Sequence, residues 1–308
     1  MSVVAFVPGT CGELLQGVDA RGPLLVSLPI DLYGTVRVTL IEESVVSVVP
    51  ALPKAMAAVQ LAMERCRWRG GVRVELGGEL PHSRGMGSST ADVAGVIAAV
   101  CAAAGVALSE RDLLGLMLQV EPSDSSPLRG LWAVDHVRGT RAVRVGAVPA
   151  GMHVAMVDGG VAVDTVDVHR CYGAGPRIPD DVLAGVRWDS VAEVGRVATE
   201  SAQRNQVRLP SAMFGTACGI AERIGAGGVC VAHSGSVCGV ICEGRGQAER
   251  AFVEFARQQV RARIFRAVAP GVRTFRTPAS PARIPPARPD EPIALPEARP
   301  GVGRLVPR

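Results

Sequence analysis

"PHSRGMGSST", residues 81–90, joins an alternating apolar stretch to a long alanine-rich one. Its two closely spaced glycines admit backbone angles closed to other residues, and the hydroxyl residues after them open a helical pattern. The first turn of a helix leaves N–H groups unpaired and carries the positive end of the helix dipole, so a loop of this kind can cradle an anion. Taken alone it also reads as an ordinary turn with no ligand. The two commonest nucleotide loops are excluded. A Walker A loop needs Gly-Lys-Ser/Thr, and the only lysine of the chain is Lys54. A dinucleotide fingerprint needs a third glycine where Thr90 stands.

Working outward from the loop, "GGVRVELGGELP" alternates like a strand, and residues 90–104 have the apolar character of a buried helix. Upstream, 24–49 is rich in β-branched residues and reads as two or three strands, followed by helical spacing over 52–67. Downstream, Ser109 and Asp112 mark a helix start; "GLWAVDHVRGTRAVRVGAV" reads as a hairpin and "HVAMVDGG" as a strand. Residues 190–224 read as helical, 227–242 as a glycine-turned hairpin and 245–263 as an amphipathic helix. Strands and helices mix without a regular βαβ repeat, which favours an α+β fold over a doubly wound sheet.

The run Pro81-x-x-x-Gly85-Met86-Gly87-Ser88-Ser89-Thr90-Ala91 resembles the second motif of the GHMP kinases, the ATP-dependent small-molecule kinases that include galactokinase, homoserine kinase and mevalonate kinase. "PGTCGELLQG" (8–17) is similar to the family's first motif and "GGVCVAHSGSVCGVIC" (227–242) to its third, in the same order along the chain. "VEPSDSS" (120–126) falls where the family carries acidic residues. Together with "VSLPIDLY" and "VDTVDVHR", these stretches are most similar to the members that act on L-threonine, over about residues 3–245.

The resemblance implies a two-domain α+β architecture. An ATP-binding domain like domain 2 of ribosomal protein S5 is expected over 1–150, a ferredoxin-like α/β sandwich over 151–270, and a Pro/Arg-rich disordered tail over 271–308. It implies ATP and Mg2+ as cofactors, with the nucleotide held by Pro81, Arg84, Gly85, Met86, Gly87, Ser88, Ser89 and Thr90, and the metal by Ser88 and Glu121. Asp124, with Asp135 behind it, is expected to act on the acceptor hydroxyl. Glu13, Gln16 and Asp31, with His233, Ser234 and Gly235, are expected around the acceptor, and Arg129, His136, His169 and Arg170 are candidates for its carboxylate. The expected reaction phosphorylates L-threonine to O-phospho-L-threonine for the aminopropanol linker of a corrinoid. Another small alcohol (homoserine, serine or an isoprenoid alcohol), or nucleotide binding without turnover, stays open. Several family members carry a lysine after Pro-Gly in the first motif; here that residue is Thr10, and no lysine lies nearby in the sequence.

Composition fits a globular protein long enough for two domains of ordinary size. With 308 residues and 48% hydrophobic content the chain can bury a sizeable core. Its net charge of +4 is accounted for by seven arginines against three acids beyond residue 270, so no basic stripe argues for nucleic acid. The amino terminus lacks the features of a secretory signal and no apolar run is long enough to span a bilayer, so the expectation is a cytoplasmic protein with no membrane partner. Its oligomeric state is open, a homodimer included. Eight scattered cysteines without a CxxC pair, and five histidines without HExxH spacing, argue against zinc. No GxSxG elbow points to acyl transfer.

Overall fold

The structure, a computed structural model, describes residues 2–160 and 175–277. Two long strands, β1 (Ser2–Asp19) and β2 (Gly22–Ile41), run antiparallel and form the backbone of the sheet. β3 (Val46–Val49) and β4 (Gly71–Gly78) extend it beyond β2, while β5 (Leu131–Val134) and β6 (Ala142–Gly146) form a hairpin that joins β2 through β5. Three helices cover this half: α1 (Pro53–Cys66), α2 (Ser88–Ala103) and α3 (Glu110–Val120). The first core lies between them and β1, β2 and β4, with Val7, Val36, Val38, Ala94 and Ile97 fully buried. α2 is apolar on nearly every face because sheet and helices enclose it.

The second half contains β7 (His153–Asp158), α4 (Val191–Asn205), α5 (Phe214–Ile224), β8 (Gly228–Val231), β9 (Val237–Cys242), α6 (Arg245–Arg257) and β10 (Ala262–Arg266). These four strands lie side by side as β10-β7-β9-β8, all antiparallel. Helices after β7 and after β9 complete the split β-α-β arrangement of a ferredoxin-like unit, as expected. β8 then meets β1 through Glu13 and Val231, so the two halves share one sheet.

The structure corrects the sequence reading in three places. The helical stretch 190–224 is two helices with a break before Pro210, whose ring cannot continue a helix interior. The helix from 245 ends at Arg257; after Gln259, at φ +60°, the chain turns back as strand β10. The tail expected from 271 begins with a strand, β11 (Arg273–Thr277), which pairs antiparallel with Ser2–Phe6 of β1 and stacks Phe275 edge-on against Phe6, ring centroids 5.8 Å apart. Arg273, Phe275 and Thr277 alternate in the manner of a strand, a pattern hidden by the arginine-rich setting. Among the described residues no helix is long and apolar enough to cross a membrane.

Candidate active site

Three segments distant in the sequence converge on the loop 81–90. The first motif lies within β1, where the register with β2 slips between Pro8 and Thr10, between Thr10 and Glu13, and between Glu13 and Leu15. Such bulges re-aim side chains that a regular strand would alternate. They bring Thr10 N–H onto the carbonyl of Met86 (3.0 Å) and Thr10 Oγ1 onto the carbonyl of Gly85 (3.3 Å). The third motif closes from the other side: Ser236 N–H donates to the Arg84 carbonyl at 3.1 Å, and Gly235 packs so tightly on Gly85 that a Cβ at 235 would fall 2.3 Å from Gly85 Cα.

Gly85 and Gly87 adopt φ of +78° and +70°, and helix α2 begins at once with Ser88. No side chain caps this helix start, so its first N–H groups face the cavity in front of them. That cavity, of about 370 Å³, is lined on one side by Gly85, Met86, Gly87, Ser88, Ser89 and Thr90, and on the others by Glu13, Lys54, His82, Asp92, Glu121, Asp124 and Ser234. It joins an uncapped helix start to four carboxyl groups.

The carboxyls are held differently. Glu121, at the end of α3, accepts from the hydroxyl of Ser89 on one oxygen and from the ammonium of Lys54 on the other. Asp124 follows in the turn, with its backbone N–H on Thr90 Oγ1 at 3.3 Å. Burial, reinforced by the negative charges of Glu13 and Glu121, pushes the Asp124 carboxyl up to about 8. Asp92, one turn into α2, is raised to about 6 by burial and Glu121, against the opposing pull of His82. Glu13 Oε2 accepts from the backbone N–H of His233 (2.8 Å) and stands 3.1 Å from His233 Nδ1, and the other nitrogen of that ring lies 3.3 Å from Ser201 Oγ. Ser201 in turn receives the backbone N–H of Gln16 at 3.0 Å, and the Gln16 amide lies 3.5 Å from His136 Nε2. A buried polar chain thus leads from the cavity wall into the second half of the molecule.

Several expected residues stand elsewhere. Asp135 is not at the cavity: its carboxylate accepts from Val137 N–H, Arg138 N–H and Thr140 Oγ1, and though burial opposes ionisation these bonds hold it below the usual carboxylate range. Asp31 accepts from Arg266 N–H at 2.8 Å, where β2 meets β10. Arg84 turns its guanidinium to Asp158, 3.6 Å away, and Pro81 is exposed at the loop entrance. Arg129 is exposed, its N–H on Glu110, and His136 lies along the polar chain behind Gln16. Gly235 packs against the loop without lining the cavity. His169, Arg170 and the stretch "VDTVDVHR" lie outside the described residues. Among the described hydrogen bonds it is Ser89, rather than Ser88, whose hydroxyl meets Glu121.

The sequence reading missed Lys54, Asp92 and His82. Signals for the first two existed. Lys54 is the single lysine among 33 basic residues, and Asp92 is the one charged residue in the apolar run of α2, three and four residues beyond Ser89 and Ser88 and hence on their face.

Comparison with known proteins agrees with this geometry. Residues 52–128 match the GHMP kinases N terminal domain and residues 186–261 the GHMP kinases C terminal domain. The chain is 32% identical over 255 residues to an L-threonine kinase of Salmonella typhimurium strain LT2, covering 78% of this chain and 83% of that one. It is 31% identical over 258 residues to an L-threonine kinase of Citrobacter freundii, covering 78% and 86%. The crystal structure of homoserine kinase from Cytophaga hutchinsonii shares the fold, with a TM-score of 0.68 at 17% identity over 89% of this chain and 97% of that one. Both halves of the fold are therefore accounted for in order, and the chain belongs to the GHMP kinases, a family of ATP-dependent small-molecule phosphotransferases.

Proposed function

We propose that this protein transfers the γ-phosphoryl group of ATP to the hydroxyl of L-threonine, giving O-phospho-L-threonine, in the cytoplasm and in service of a corrinoid's aminopropanol linker. The observation that carries the reading is the juxtaposition of Asp124 with the Gly87 turn and the start of α2, one group suited to a hydroxyl beside a surface suited to phosphates. The threonine specificity rests on the relatives that share a third of their residues with the chain. The nucleotide-binding half ends near residue 150 in this reading.

Phosphoryl transfer asks mainly for positioning and charge neutralisation. The N–H groups of Gly85 to Thr90 bind phosphate oxygens, with the glycines admitting the close approach. A carboxylate and a hydroxyl fit magnesium, which keeps most of its shell for water and phosphate oxygens; Glu121 and Ser89 would hold it. The ion would supply charge neutralisation to the transferring group. Asp124 in its carboxylate form, made a stronger base by its buried setting, takes the proton from the threonine hydroxyl as the oxygen attacks. Glu13, fixed by His233, faces the acceptor's ammonium, and the packing of Gly235 on Gly85 holds the third motif against the loop.

A coupled ADP-release assay with Mg-ATP and, in turn, threonine, serine, homoserine and mevalonate tests the assignment. The expected result is a kcat/KM highest for threonine; release with homoserine but not threonine would overturn it.

A further inference from the structure

Lys54 stands where stability does not account for it. It is in the first turn of α1, where the helix dipole disfavours a cation, and no acid accompanies it in that turn. Its partner Glu121 lies on another helix, and the lysine side chain is 43% exposed, a setting in which an ion pair contributes little. Everywhere else this chain uses arginine for positive charge. Among the described residues lining the cavity Lys54 is the only lysine or arginine, because Arg84 turns away to Asp158.

The cavity that Lys54 enters carries Glu13, Asp92, Glu121 and Asp124, and a triphosphate would bring further negative charge to it. A lysine ammonium is a compact charge on a flexible stem with three donors, able to shift from one oxygen to another, whereas an arginine fork would lock onto Glu121 in a two-pronged pair.

Building on the nucleotide site argued above, we propose that Lys54 is an exchangeable cation of that site. Without nucleotide its ammonium neutralises Glu121 and, with Ser89, fixes the carboxylate's orientation. When the magnesium nucleotide binds, the ammonium leaves Glu121 for the phosphate oxygens, freeing that carboxylate oxygen for the metal. The loop 81–90 thus cradles phosphates without a lysine of its own because α1 delivers one from 31 to 34 residues upstream of Gly85 and Ser88.

The single lysine makes the test direct. The full chain is treated with a limiting amine acylating reagent, N-hydroxysuccinimidyl acetate, with and without the magnesium complex of a non-hydrolysable ATP analogue. Acetylation at Lys54 and at the amino terminus is followed by mass spectrometry, and nucleotide binding is measured on the same preparation by equilibrium dialysis. The expected result is bound nucleotide with acetylation of Lys54 slowed about tenfold or more and the amino terminus unchanged. In Lys54→Met the nucleotide affinity falls about tenfold, while Lys54→Arg recovers part of it but requires more magnesium. Nucleotide bound with an unchanged rate at Lys54 would overturn the proposal and leave the cavity's assignment standing. Absence of nucleotide binding to the full chain would overturn both. Because the labelling uses the unaltered chain, it decides the matter even if a Lys54 variant fails to fold.

Discussion

The carboxylate of Asp124 rests against Gly87: a Cβ at residue 87 would fall 2.9 Å from Asp124 Oδ2. Gly87 also has φ +70°, a conformation that costs a residue with a Cβ about 1 to 2 kcal/mol. Gly87→Ala therefore both strains the loop and pushes Asp124 from its place. The expected outcome is a folded protein whose kcat falls by about two orders of magnitude, since a displacement near 1 Å at a reacting group costs about that much. Circular dichroism and steady-state kinetics check it; near-normal kcat would show that Asp124 does not act from this position.

The raised carboxyl of Asp124 makes a prediction with a definite sign. In the unfolded chain the group loses its proton near its ordinary value of 3.8, whereas in the folded protein it keeps it up to about 8. The folded state thus binds more protons between these values, and this group's contribution to stability falls as pH rises from about 4 to about 8. Asp124→Asn has no proton to lose. Without nucleotide, its Tm should exceed that of the unaltered protein at pH 8, the difference closing toward pH 4, while its kcat falls by about a hundredfold or more. A Tm difference independent of pH would refute the assigned burial.

Ser88 and Ser89 should separate. Ser89 gives its hydroxyl to Glu121, so Ser89→Ala removes an oxygen from the proposed metal position and should lower kcat by about a hundredfold, with a higher magnesium requirement. Ser88 contributes a backbone N–H that alanine keeps, and Ser88→Ala should cost less than about tenfold. Magnesium titrations at saturating ATP distinguish the two; equal losses would return the hydroxyl role to Ser88.

What was legible in the sequence follows from how local each signal is. The glycine loop, the helix after it and the acidic turn 121–124 are short contiguous patterns whose chemistry does not depend on partners, and the structure brings them to one cavity. The ferredoxin-like half was expected through the family resemblance; its residue patterns alone merged two helices into one and hid the start of its last strand, β10, inside the helix from 245. Asp135 misled because a carboxylate filling a turn looks, in sequence, like one serving a substrate; only its three hydrogen-bond donors distinguish them. Lys54 and Asp31 show the complementary limit. Whether a charged residue reaches the site or a strand end 235 residues away is decided by tertiary packing, which no spacing reports.

The carboxy-terminal boundary can be placed by truncation. β11 pairs all five of its residues with Ser2–Phe6, and Phe275 packs edge-on against Phe6, so in this stretch β1 is flanked by β11 and β2. The same strand continues into the first motif, where Thr10 and Glu13 meet the phosphate loop and the third motif. Ending the chain after residue 271 should strip one edge from β1 and lower Tm by about 5 °C or more, as expected for about 2 kcal/mol in a chain of this size. Nucleotide affinity should weaken with it. Ending the chain after Thr277 keeps every described contact and should leave Tm and kcat unchanged. Thermal denaturation of the two truncated proteins decides between a boundary at 271 and one at 277; an equal loss of stability in both would show that residues beyond 277 contribute contacts of their own.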